Sequence, residues 1–176
     1  MRAFLAFAAG SLALVLMGRV AVADSPNLEM QVAGGALTAT AHGEGVTIGF
    51  KYEKACNPDS KPCFVFNATM GTQPVAISGA GCTSELPGTA SCPASSIRAV
   101  NVTMGASGGF QFNDGSRHSL CSPAALTVTT GDTLANVDVW NGCAETIVCS
   151  TKTTVANVVA DAADTIRGHC FGVERH

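Results

Sequence analysis

Five carboxylates in the second half of the chain, Asp114, Asp132, Asp138, Asp161 and Asp164, have the clearest capacity to hold a ligand. A hard cation such as calcium takes about six to eight oxygens, and closely stacked turns can supply them from separate stretches of chain. These five are spread from 114 to 164, so they converge only if the turns that carry them stack. One weak calcium site is the most that so few carboxylates support. Taken singly, an Asp in such a turn is more often bonded to its own backbone.

Nucleophilic chemistry has less to stand on. Asp114, Ser116 and His118 lie close together, but a triad is recognised by geometry, and these three share one turn. The stretches G-x-S-x-G, H-E-x-x-H and G-x-x-x-x-G-K-[ST] are absent. A glycosidase needs two acids across a cleft, and nothing here selects a pair. No catalytic residue is assigned, and the chain reads as non-enzymatic. Trp140 with Phe110 and Phe112 either forms an exposed binding face or, as such residues more often do, completes a small core.

All eight cysteines, 56, 63, 82, 92, 121, 143, 149 and 170, follow an opening stretch that reads as a secretory leader. That stretch has Arg2, an apolar run from Ala3 to Met17, and the small residues Ala21-Val22-Ala23, with cleavage expected after Ala23. Its apolar run is shorter than the roughly 20 residues needed to cross a bilayer, and no other segment is long and apolar enough. An even cysteine count in an exported chain points to four disulfides. Pairing by neighbourhood gives 56–63, 82–92, 121–143 and 149–170, of which 82–92 and 149–170 have the better support. Zinc fits poorly: there is no C-x-x-C, and His42, His118, His169 and His176 are scattered. Net charge is −3, falling to −5 without the leader's two arginines, and Lys and Arg occur singly. No nucleic-acid footprint is present.

Gly, Thr, Ser, Ala and Val dominate, which favours strands over helices. "LTATAHGEGVTIGFKY" alternates and turns at Gly43-Glu44-Gly45, as a hairpin would. "CNPDSKPC" is a Pro-rich loop, and Asn113-Asp114-Gly115 and Asn141-Gly142 mark tight turns. Asn67-Ala68-Thr69-Met70-Gly71 and Asn101-Val102-Thr103-Met104-Gly105 echo each other 34 residues apart, the self-similarity expected of stacked β units. Short strands arriving every eight to ten residues imply an all-β sandwich, barrel or solenoid. The stretch from Cys149 to Cys170 is ambiguous. Val155, Val158, Val159, Ala162, Ala163 and Ile166 make a helical stripe, yet many of its residues are β-branched.

Two segments carry a family likeness. Pro74–Gly109 runs from a Val-containing strand through G-x-G-C, a short loop and C-P into "IRAVNV" and glycines; Glu145–Cys170 joins "TIVC" to Val159, Asp161, Asp164, Ile166 and a last Cys. The first resembles the β lead-in, and the second the closing element, of exported hemolysin-type (RTX-like) calcium-binding proteins. The calcium-binding nonapeptide of that family is absent, and Thr146 and Thr154 stand where its members place Asp. The resemblance implies "ANVVA" and "DTIRG" as consecutive strands with "DAAD" at the corner. Asp161 and Asp164 would then aim at backbone amides or an ion.

The expected architecture is therefore all-β: a lead-in module over 24–110, then a small degenerate parallel β-solenoid over 111–176, stapled by disulfides. The competing architecture is a β-sandwich with one C-terminal helix at about 155–167. The expected role is a secreted structural or binding protein that calcium stabilises weakly. The runner-up is a small adhesin or effector engaging an extracellular protein or glycan through its β surface, and an unrecognised secreted hydrolase is a weaker third.

Overall fold

The computed structural model describes residues 25–56, 60–112, 120–151 and 155–176, without the side chains of Glu85 and Val155. Among them the chain is all-β, with one short 3-10 turn at Ala94–Ser96. It enters as an antiparallel hairpin, β1 (Asn27–Ala33) and β2 (Ala36–His42), and crosses to a second sheet as β3 (Glu44–Cys56). There β3 pairs antiparallel with β4 (Lys61–Met70), which β5 (Gln73–Pro74) borders for two residues. β6 (Ala76–Ala80) returns to the first sheet, parallel to β1, while β7 (Thr83–Leu86) and β8 (Thr89–Pro93) extend the second sheet beyond β4.

From here the chain winds in coils. β9 (Ala99–Thr103), β11 (Ala125–Thr129), β13 (Thr146–Cys149) and β15 (Thr165–Gly168) stack in parallel on β2 in the first sheet. β10 (Ser107–Phe112), β12 (Leu134–Asp138), β14 (Val155–Ala160) and β16 (Gly172–Arg175) stack in parallel on β3 in the second. Each coil contributes one strand to each sheet.

Alternation builds the interior. Successive side chains of a strand point to opposite faces, so Leu37 and Ala39 face inward between outward Thr38 and Thr40. The same rule stacks Ala39, Val102, Val128, Ile147 and Ile166 as one inward column. Opposite it run Ile48, Phe110, Val137 and Val158, with Val173 continuing the column, exposed, on the edge strand β16. The interior is widest at the N-terminal end, where Phe50 meets Phe64, Phe66, Phe110 and Phe112 at ring separations of 5.0–6.4 Å. It narrows to Ala135, Ala156 and Ala160 further along. Phe110 and Phe112 therefore belong to the core and not to a binding face.

Three expectations are corrected. Gly43–Gly45 makes no hairpin: β2 and β3 lie in different sheets, and the positive φ of Gly43 (86°) and Gly45 (73°) turns the chain from one sheet into the other. The boundary at 110/111 is absent, because β10 ends at Phe112 and bonds β3 on one side and β12 on the other. The lead-in and the coils share one core. The N-x-T-M-G echo is not a repeat, since Asn67 lies in antiparallel β4 and Asn101 in parallel β9. The true equivalents are set by register, as with Thr127, Thr146 and Thr165 at 19-residue intervals. The strands expected over 155–167 are present as β14 and β15 with a corner at 161–164, and the competing helix is not, because the β-branched residues stack on strands already in place.

Disulfides join Cys56–Cys63, Cys82–Cys92, Cys121–Cys143 and Cys149–Cys170, with Cα separations of 6.0, 4.2, 5.5 and 5.5 Å. The last two tie a coil to the next. Replacing Cys149 and Cys170 by Ala should lower unfolding free energy by about 2–4 kcal/mol in urea melts followed by circular dichroism. Replacing Cys56 and Cys63 should cost less, since that bridge closes a short loop at the end of a ladder that β3 and β4 already hold.

Candidate functional site

The corner between β14 and β15 lies against the corner between β12 and β13, and carboxylates join the two. Asp161 Oδ2 accepts the backbone N–H of Asn141 and of Gly142, both at 2.7 Å. Asp164 Oδ1 accepts the N–H of Glu145 at 2.8 Å, and its Oδ2 accepts the N–H of Asp161 at 2.7 Å. Asn141 turns its own corner by accepting the N–H of Cys143 at 2.7 Å. From β16, Arg175 Nη1 donates to the carbonyls of Asp161 (2.8 Å) and Asp164 (3.3 Å). Both aspartates are buried. Buried amides left unbonded are costly, so these carboxylates hold one coil to the next.

The remaining candidates do not join them. Asp132 is exposed and accepts from Ser150 Oγ at 3.1 Å. Asp138 is half-buried and accepts the N–H of Trp140 at 3.2 Å. Asp114, Ser116 and His118 lie outside the described residues. Of the four described aspartates, the structure thus brings Asp161 and Asp164 together. Among the described residues, the one group of three acid, thiol or imidazole ligand atoms close enough to share a metal is Glu53, Cys56 and Cys63. Its two sulfurs are joined to each other in a disulfide, so it offers no thiolates.

The buried partner of Asp161 and Asp164 is Glu145, 4% exposed, which the sequence reading passed over. The alternation of Glu145, Ile147 and Cys149 leading into β13 was the available signal, because it turns Glu145 inward. Burial first, then the hydrogen bond to Asp164 and the Asp164 charge, push the Glu145 carboxyl up to about 8. Its Oε1 accepts from Asn141 Nδ2 at 3.3 Å, whereas Oε2 is buried with no donor. Burial and the neighbouring Asp164 favour the protonated form of the Glu145 carboxyl. The corner is a buried cluster of three acids, two of them clamped by backbone amides.

The outer faces of the two sheets differ. On the second sheet Thr47, Gly109, Asn136, Asn157 and Gly172 stand in register, with Asn157 Nδ2 donating to Asn136 Oδ1 at 3.1 Å. Gly109 leaves a dip in this row, and a Cβ there would crowd Thr47 at 3.3 Å. The dip opens into a groove of about 480 Å³, lined also by Gln111, Asp138, Leu134 and Val159. Trp140 lies beyond it, stacked on His176 at 3.8 Å.

Comparisons with protein-family models, curated proteins and solved structures return no match. The resemblance to hemolysin-type proteins rests on the sequence motifs alone.

Two outcomes test the corner. Because folding raises the Glu145 pKa from 4.5 to about 8, the folded chain binds this proton more tightly than the unfolded one. Stability from this group is full below about pH 4.5 and falls as pH rises towards 8. Thermal melts of Glu145→Gln, which keeps shape and a donor, should lose that slope and exceed the parent at pH 8. Asp161→Ala strands the buried amide of Asn141 and the more exposed one of Gly142, and should cost about 1–3 kcal/mol in urea unfolding, against less than about 0.5 for Asp132→Ala.

Proposed function

We propose that the chain is an exported, non-catalytic binding protein whose second-sheet groove takes an extended, uncharged, hydroxyl-rich ligand of the glycan class. The observation that carries this reading is the amide pair Asn136 and Asn157, set in register beside the bare backbone of Gly109. Amides offer donor and acceptor together and match the paired hydroxyls of a sugar ring. Gln111, Asp138 and Thr47 add further hydrogen-bonding groups, and Leu134 and Val159 give apolar surface for ring carbons. Parallel coils repeat this chemistry along the stack, which suits a chain-like ligand better than a compact one.

Export is supported by the leader-like opening, by four disulfides with no free cysteine among the eight, and by the absence among the described residues of a helix long and apolar enough to cross a membrane. At the 161–164 corner backbone amides already occupy the aspartates, which supports a reading in which calcium adds little stability. Melting temperature should accordingly be the same in millimolar calcium and in chelator; a rise with calcium overturns this part. For the groove, binding to an array of neutral glycans, followed by titration calorimetry, should show a ligand whose affinity drops about tenfold or more in Asn136→Ala/Asn157→Ala, about 1.4 kcal/mol. Unchanged affinity in that variant removes the groove as the site.

A further inference from the structure

The first sheet presents a different surface. Between the inward columns, two outward ranks run across five strands. One is Thr38, Asn101, Thr127, Thr146 and Thr165; the other is Thr40, Thr103, Thr129, Val148 and Arg167. Seven of the ten positions are threonine. Every step between these strands is parallel and free of a register shift. Neighbouring strands lie about 4.8 Å apart, and residues two apart along a strand about 6.6 Å, so the hydroxyls form a two-dimensional grid of those spacings. Threonine suits such a grid because its branched Cβ restricts χ1, fixing hydroxyl and methyl in place. The hydroxyls of Thr89, Thr130 and Thr133, which do bond protein groups, all lie off these ranks. Beside the ranks, Ala36, Ala99 and Ala125 form a row of small side chains that leaves the face open.

What occupies such a face follows from its composition. Stable protein interfaces concentrate aromatic residues, Met and Arg, and the ranks hold none apart from Arg167 on the edge strand. No aromatic platform is there for a sugar ring. Within the five strands no charge interrupts the grid before that edge, and beyond Thr40 the neighbouring β1 places Glu29, paired with His42, at the grid's other border. The remaining feature is periodicity in two directions, with a hydroxyl and a methyl at most nodes. Liquid water has no fixed lattice to match it. Ice does, with oxygen repeats on the order of these spacings on its growing faces.

We propose that the outer face of the first sheet is an ice-binding face, its threonine ranks ordering a layer of water that joins the crystal lattice and hinders growth. This stands apart from the second-sheet groove and survives if that reading fails. The test uses the full chain, exported by its host with its own leader and recovered with all disulfides formed. Thermal hysteresis, crystal shaping and inhibition of ice recrystallisation should be present. Thr127→Tyr and Thr103→Tyr, near the centre of the grid, should abolish most of that activity while the circular dichroism melt stays in place. Asn101→Thr/Val148→Thr extends the grid to nine of ten positions and should increase hysteresis, a gain that no loss of folding can mimic. Asn136→Ala/Asn157→Ala on the opposite face should leave it unchanged. Absence of hysteresis and recrystallisation inhibition in the parent overturns the proposal. So does equal loss from the opposite-face variant, no gain from the extended grid, or adsorption to powdered cellulose or chitin that Thr127→Tyr removes without any effect on ice.

Discussion

Everything in this molecule depends on parallel strands stacking in register, coil on coil. A single two-strand coil buries almost nothing, since each of its strands has one face in water. Stacked, the coils close each other's backbone hydrogen bonds and align their inward side chains into continuous columns of Ala39, Val102, Val128, Ile147 and Ile166 against Ile48, Phe110, Val137 and Val158. A slip of one residue would turn each column to solvent. The columns thus hold the register, and the register holds the columns.

The narrow interior forces a second constraint at the corners. Where the chain turns from one sheet to the other its amides leave the ladders, and buried amides must be bonded. Asp161 and Asp164 meet that need for the coil beneath, and Arg175 meets the carbonyls of their own corner. Concentrating carboxyls there has a consequence: Glu145 joins them in a dry site and is driven to keep its proton. Two inter-coil disulfides, Cys121–Cys143 and Cys149–Cys170, act on the same part of the stack, where small side chains leave the least apolar area.

With interior and corners committed to the fold, the outer faces are where the two proposals lie. The two faces come from one alternation but differ in chemistry: amides, a carboxylate and a glycine dip on one, threonines on the other. Asp161 and Asp164 are spent on backbone amides, while Asp132 and Asp138 stand apart on separate turns.

Alternation is local, so the sequence by itself determined that the chain is made of strands, which side of each faces in, and that neighbouring cysteines lie close enough to be considered pairs. The β-branched residues of 155–167 already opposed a helix. Register, however, is non-local. That the Gly43–Gly45 bend changes sheets, that Asn67 and Asn101 are not equivalent while Thr127, Thr146 and Thr165 are, and that Glu145 lies against Asp164 were decided only by tertiary structure. Coils of unequal length hide the repeat from any fixed spacing, and only the ladder hydrogen bonds establish which residues become neighbours.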